Sequence, residues 1–315
     1  YQSNVGSVFG TTYSITYEYK EDLSVEIQKT MKDVDFSLSP FNDSSVITQI
    51  NNNKEVALDK HFVKVFETAV KVSEETDGAF DITVAPLVNA WGFGFKTKQM
   101  PSQQQVDSLL LLVGYKKIKK ENGKIVKENP NTMLDCSAIA KGYGVDAVAD
   151  MLKEKGVKNF MVEIGGEVVT QGVNSKQAAW RIGIVEPTDD SLSIENEIKE
   201  VLEVQNMAMA TSGNYRKFYV KDGKKYAHTI DPKTGFPVQH NILSATVLAK
   251  ECAVADAYAT SFMVMGLDKA MDLYNSHTLD FEAVFITADG QVITTPGIKD
   301  DFLFTSDDYT FSQTK

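Results

Sequence analysis

Apolar positions recur along this chain with a period of two in some stretches and of three to four in others, and the change of period divides it into elements. From Ser7 to Tyr19, Val8, Tyr13, Ile15 and Tyr17 alternate with polar or small residues, which predicts a first strand. Glu21 to Val34 carries Leu23, Ile27, Met31 and Val34 at helical spacing, and Lys60 to Glu75 places Phe62, Val63, Phe66, Val70 and Val72 on an apolar helix face that stops at Asp77-Gly78. Between these helices Ser37 to Ser45 is a polar loop. Val106 to Val113 predicts a short helix, and Lys117 to Lys127 a hairpin turned by Asn122-Gly123. Strand-like Thr132 to Leu134 feeds a helix that reaches about Lys155, with Gly156 as its stop. Met161 to Val168 reads as one strand interrupted by Gly165 and Gly166, the mark of a bulge or of close backbone approach.

The second half continues the alternation. Trp180 to Val185 and Ile242 to Ala249 are strands, Met207 to Tyr215 ends a strand in a small polar cluster, and Thr188 to Glu197 is an acidic loop. Arg216 to Ile230 and Phe281 to Thr295 read as hairpins around Asp222-Gly223 and Asp289-Gly290, and Phe302 with Phe304 as an edge strand. Glu251 to Ser261 is an Ala-rich helix and Asp268 to Tyr274 an amphipathic one. Interleaved helices with frequent hairpins predict an α+β fold with antiparallel sheets and packed helices rather than a doubly wound parallel sheet. With no internal repeat and no linker, residues 1–315 read as one domain.

Charge then restricts the partners. The net charge is −11 and the pI about 4.9, with Lys and Arg scattered, which argues against nucleic acid. An anionic cofactor would need backbone amides, a metal or a few local cations. Cys136 and Cys252 are the only cysteines, without metal-ligand spacing, and read as buried free thiols. No run reaches the roughly 18 apolar residues of a membrane span. The chain starts at Tyr1 without a Met, which suggests that a leader has been removed.

Candidate chemistry centres on the Ala-rich helix. Asp256 and Thr260 stand one turn apart, so two hard oxygen ligands share a face and the alanines admit another backbone; Mg²⁺ suits such a cradle, while a cap or local hydrogen bond is the commoner use of such a pair. Asp135 to Asp146, a strand feeding a helix N-terminus with small residues and Lys141, is a sensible phosphate site without Walker spacing. Phe41 is either a ring-stacking contact or a loop anchor. Trp91-Gly92-Phe93-Gly94-Phe95 is either a ligand-facing turn flanked by rings or a turn whose Trp belongs to the core. His228 and Asp231 lie at a strand end before a Pro/Gly loop, where a histidine is a general acid or base, or structural. His61, His240 and His277 have no comparable neighbourhood and read as structural or exposed.

Taken together, Phe9 to Tyr13, Ser39 to Asn51, Gly78 to Leu87, Trp91 to Gly94, Asp135 to Asp146, Glu163 to Glu167, Ala210 to Tyr215, His228 to Gly235 and Ala253 to Thr260 resemble, in order, the ApbE-like FAD:protein FMN transferases. The resemblance implies a T-fold-like domain that binds FAD with Mg²⁺, cuts its pyrophosphate, joins FMN through a phosphoester to Thr or Ser of an acceptor flavoprotein subunit, and releases AMP. It implies Asp256 and Thr260 as metal ligands with the backbone oxygens of Ala138 and Ala259. It further implies FAD contacts from Phe9, Phe41, the Trp91-Gly92-Phe93 turn, Asp135, Lys141 and Ile230. His228 is similar to the histidine that activates the acceptor hydroxyl, with Asp231 orienting it or holding the loop. Phe9 and Phe41 stand where relatives often carry Met and Tyr or Trp. The family also includes FAD pyrophosphatases, which yield FMN and AMP, and a flavin-binding module without turnover is the reading of a different class. The resemblance implies the bacterial periplasm or outer face of the inner membrane, reached through a lipid anchor outside this chain.

Overall fold

A tight turn at Phe9 and Gly10 (φ 52° and 73°) folds the first stretch back on itself. Ser7 to Tyr19 is therefore not one strand: β1 (Gln2–Val8) and β2 (Thr11–Tyr17) pair antiparallel with Val8 opposite Thr11. An aromatic at the first left-handed position hides a turn that Asn-Gly would have announced. The computed structural model describes residues 1–93, 100–185, 198–214, 218–221, 224–276, 280–298, 302–304 and 310–313. Thr188 to Glu197, Tyr215 to Lys217, the Asp222-Gly223 turn, Gly94, Phe95 and His277 lie outside them.

Helices α1 (Ser24–Leu38) and α2 (Val46–Asn51) follow, the second directly after the expected polar loop and started by Ser45, whose side chain accepts from the Thr48 amide. In α3 (Lys60–Glu75) Asp59 caps the first turn, and the buried face runs through Phe62, Val65, Phe66, Ala69 and Val72, with Val63 and Val70 at its margin. Next come α4 (Ala85–Ala90), α5 (Gln103–Leu110) with a Ser102/Gln105 capping box, and the hairpin β3 (Ile118–Glu121) and β4 (Lys124–Lys127). Thr132 to Leu134 forms no strand, and α6 (Ala140–Glu154) starts after a turn. Gly165 and Gly166 (φ 60° and 97°) are not a bulge: they turn the hairpin of β5 (Phe160–Ile164) and β6 (Glu167–Gln171).

Then follow β7 (Trp180–Val185), β8 (Ile198–Val204), β9 (Ala208–Gly213), the hairpin β10 (Phe218–Lys221) and β11 (Lys224–Ala227), and β12 (Ile242–Ala249). The chain continues with α7 (Cys252–Met265), α8 (Leu267–Asn275), the hairpin β13 (Glu282–Thr287) and β14 (Gln291–Thr294), and the short strands β15 (Phe302–Phe304) and β16 (Thr310–Gln313).

The main sheet has the order β1-β2-β5-β6-β9-β12-β13-β14-β16, antiparallel except for β14 with β16. A smaller sheet, β15-β8-β7, has Phe302 to Phe304 at its edge, as the sequence predicts. The period-two pattern explains the layering. Ala245, Val247 and Ala249 of β12 and Phe285 of β13 face the helical core. Their neighbours Leu248, Val284 and Ile286 join Ile182, Ile184 and Leu202 in a second apolar layer between the sheets. The fold is α+β, with helices on one face of the large sheet and the small sheet on the other. Among the described residues no helix is long and apolar enough to cross a membrane.

Candidate functional site

Helices α6 and α7 meet at their first turns, and neither begins with a side-chain cap of its own. Each is capped by the other. Asp256 of α7 accepts from the Gly142 amide at 3.0 Å, and Asp146 of α6 accepts from the Cys252 and Ala253 amides, each at 2.8 Å. The contact demands glycine at 142, because a Cβ there would lie 2.4 Å from the Cys252 carbonyl oxygen and 2.8 Å from the Asp256 Cβ. The close approach expected at the alanines of α7 is made instead at the start of that helix, and the small residue that allows it is Gly142 of α6. Cys136 and Cys252 are buried free thiols, as expected.

The junction carries buried charge. Lys141, one residue before Gly142, extends its ammonium to Glu167, the first residue of β6, at 2.6 Å. Glu167 is 2% exposed and Asp256 4%. Burial raises the Asp256 carboxyl above its usual range, opposed by Lys141 and the Gly142 amide. Burial and then the Asp256 charge raise Glu167, with Lys141 pulling the other way. For Lys141, burial favours the neutral amine, but Glu167 and Asp256 together outweigh it and its pKa is raised. Oε2 of Glu167 is buried without a hydrogen-bond partner.

Thr260, one turn along α7, is within 3.2 Å of the Ser212 hydroxyl at the end of β9. Buried Ala259 precedes it, and half-buried Ala138 lies in the turn that opens α6. No three His, Cys, Asp or Glu side chains converge on one point among the described residues. A cation here would draw on carboxylate, hydroxyl and carbonyl oxygens, the donor set that suits Mg²⁺. Two buried carboxylates against one ammonium, with a carboxylate oxygen left unpaired, fit a divalent cation.

His228 stands at the other end of the site, half-buried, directly after β11. Its neighbour Thr229 donates to Oδ1 of Asn214 at 2.6 Å, two residues beyond Ser212, so the end of β9 joins the two halves. Beneath it Leu87, Trp91, Val106, Val113 and Ile230 form a separate apolar cluster, joined by Phe93 and Phe236. Trp91 belongs to the core: it is 2% exposed, and its Nε1 donates to the Gly235 carbonyl at 2.8 Å. Ile230 is buried beside it and bridges to Pro237. Gly92 (φ 77°) and Phe93 remain half-exposed, and the Phe93 ring meets His228 edge-on at 6.4 Å. Asp231 holds the loop, since its Oδ1 accepts from the Lys233 amide at 2.8 Å and its carbonyl from Gly235 at 2.8 Å.

The remaining candidates lie nearby or apart. The Phe9 ring covers Gly144 of α6, where a Cβ would lie 2.5 Å from Cε2 of that ring. The half-buried Asp135 carboxylate accepts from the Ser137 amide at 2.8 Å and from its hydroxyl, shaping the turn into α6. Phe41 is 79% exposed on the loop between α1 and α2. His61 is buried against the Tyr143 hydroxyl at 2.8 Å, and His240 bonds the Met263 carbonyl, both structural as expected. Glu167, Gly142, Asp146 and Ser212 complete the junction without having been singled out from the sequence. Their partners are 26 to 114 positions away, and only the acid at the end of Glu163 to Glu167 hinted at one of them.

Comparison with known proteins finds relatives of this sequence and fold. Residues 9–285 match the model of the ApbE family. A Haemophilus influenzae protein named FAD:protein FMN transferase is 36% identical over 304 residues, 91% of this chain and 87% of that protein. One of the same name from Vibrio cholerae is 35% identical over 296 residues, 90% and 87% of the two chains. Among solved structures, the flavin transferase ApbE of Vibrio cholerae superposes with a TM-score of 0.80 at 33% identity, covering 98% of this chain and 97% of that one. The apo form of the Pseudomonas stutzeri flavinyl transferase ApbE gives 0.84 at 29% identity, covering 95% and 96%.

Proposed function

This chain belongs to the ApbE family, and from that premise we propose that it is a Mg²⁺-dependent FAD:protein FMN transferase. The observation that carries the reading is the end of β9, where Ser212 touches Thr260 of the buried acidic junction and Asn214 tethers the segment holding His228. A cation-holding corner and an acid/base group are thereby supported by one strand end. Asp256 and Thr260, with the backbone oxygens of Ala138 and Ala259, would hold the Mg²⁺. When bound, the ion neutralises pyrophosphate charge and stabilises the leaving phosphate.

The chain's own residues supply the rest. Lys141 places a positive charge at the first turn of α6, and with the helix dipole it favours an anionic phosphate there. His228 takes the proton of an acceptor Thr or Ser hydroxyl. The acceptor oxygen then bonds to the phosphorus of the FMN half, the bond from that phosphorus to the bridging oxygen breaks, and AMP leaves. Trp91, Gly235 and Asp231 position the loop that follows His228. Phe9 packs over α6 and Phe93 stands beside His228, one ring near each corner.

Intact-mass analysis of an acceptor protein mixed with the enzyme, FAD and Mg²⁺ tests the reading. A gain equal to one FMN moiety, dependent on Mg²⁺, is expected. His228→Ala should lower the transfer rate about 10²- to 10⁴-fold while leaving FAD binding in place. FMN and AMP appearing equally fast without acceptor would make the protein a pyrophosphatase, and unreacted FAD in every sample would leave a binding module.

A further inference from the structure

We propose that Glu167 is a positioning residue of this centre: its Oε1 holds the Lys141 ammonium away from Asp256, and its second oxygen completes the cation's surroundings as an acceptor for a bound water. The inference deepens the cation site of the proposed transferase and rests on that reading.

The argument starts from an unbalanced cluster. Lys141 lies within electrostatic reach of both buried carboxylates but is hydrogen-bonded to Glu167, at 2.6 Å. Asp256 instead spends one oxygen on the Gly142 amide. Were Glu167 absent, Asp256 would be the remaining anionic partner of the ammonium, and a pair formed there would cancel the charge that a cation needs. With Glu167 present and both acids ionised, the two carboxylates and one ammonium carry one net negative charge.

The placement of Glu167 is dictated by the backbone. It pairs with Ile164 to close the hairpin turned by Gly165 and Gly166, so its side chain enters the junction from the first position of β6. At 2% exposure it has little water to solvate it, yet Oε2 has no partner among the described residues. A carboxylate retained only for an ion pair would gain by satisfying both oxygens, because a buried unpaired acceptor is costly. An outer-sphere contact to a hydrated cation uses that oxygen, and groups of this kind tune metal affinity.

The test is Mn²⁺ binding to the FAD-free full chain, read by loss of the free-ion electron paramagnetic resonance signal and by competition with Mg²⁺. Glu167→Gln, which keeps the shape and removes the charge, is expected to weaken binding about 10- to 100-fold. Lys141→Met should tighten it. The double variant, which regains the wild-type net charge, should return close to wild type, a rescue that a merely structural role would not produce. Circular dichroism checks that each variant is folded, and Lys141→Met gives an independent reading should Glu167→Gln fail to fold. Wild-type affinity in Glu167→Gln, or no rescue in the folded double variant, overturns the proposal while leaving the cation site standing. Absence of Mn²⁺ binding and Mg²⁺ competition in the wild type overturns both.

Discussion

Asp256 and His228 reach the same site from supports of different kinds. Asp256 sits on α7, whose Ala253, Ala255, Ala257, Ala259 and Phe262 are buried in the main core, and whose first turn is locked to α6 by exchanged caps. His228 follows a strand of a two-stranded hairpin and rests on a small cluster around Trp91. A charged cradle needs fixed distances, because its electrostatics depend on excluding water and on geometry held in advance. A group that must meet a second protein is better placed on a loop at the surface. The molecule thus puts its rigidity under the proposed cation site and its accessibility under the proposed acid/base group.

The largest effect should come from removing the acid at the rigid end. Asp256→Ala is expected to abolish Mg²⁺-dependent turnover, since it removes the proposed metal ligand and the acceptor for the Gly142 amide together; near-normal Mg²⁺-dependent activity would remove Asp256 from the site. Gly142→Ala attacks the same end without touching charge. Its Cβ would meet the Cys252 carbonyl at 2.4 Å. Forcing the helices apart should cost about 3 kcal/mol or more, and thermal unfolding together with Mn²⁺ affinity should both register it. Retention of both would show that the junction is looser than its contacts imply.

A smaller effect concerns pH. Burial pushes the Asp146 carboxyl, the cap of α7, up to about 7, with its bonds to Ala253 and Cys252 pulling down and Glu251 and Asp150 adding to the rise. The folded state then holds a proton that the unfolded chain has already released above its ordinary value of 3.8. The contribution of this group to stability therefore falls as pH rises from the ordinary carboxylate range to about 7. Melting temperatures at pH 5 and pH 8 should show wild type losing stability relative to Asp146→Asn; parallel behaviour of the two would show that the cap is ionised throughout. The mildest change is at the loop end. Trp91→Phe removes the bond to Gly235 and leaves a small void, for a loss of about 2 kcal/mol. Activity should fall less than for either substitution at the helix junction, and an equal or greater loss would invert the ranking of the two supports.

Much of this was visible before the fold was known. The bounds of α3 and the Asn122-Gly123 and Asp289-Gly290 hairpins follow from period and turn chemistry, because both are local. The turn at Phe9-Gly10 carries no such signature, and at Gly165-Gly166 the two glycines fit a turn as well as the bulge read there. Asp256, Thr260, Lys141 and His228 stood out because acids, hydroxyls and histidines are few on such elements. Trp91 could be read either as a ligand contact or as core, and only burial decides that its indole serves the core.

Residue types and their local spacing by themselves determined most of the elements and the Ala-rich helix with Asp256 and Thr260 one turn apart. Tertiary structure alone decided that Asp256 caps α6 while Asp146 caps α7, and that Lys141 is held by Glu167 and not by Asp256. The physical reason is range. Periodicity and turn chemistry act between neighbours in sequence, whereas burial and the pairing of charges arise only when segments 26 to 114 residues apart are packed against each other.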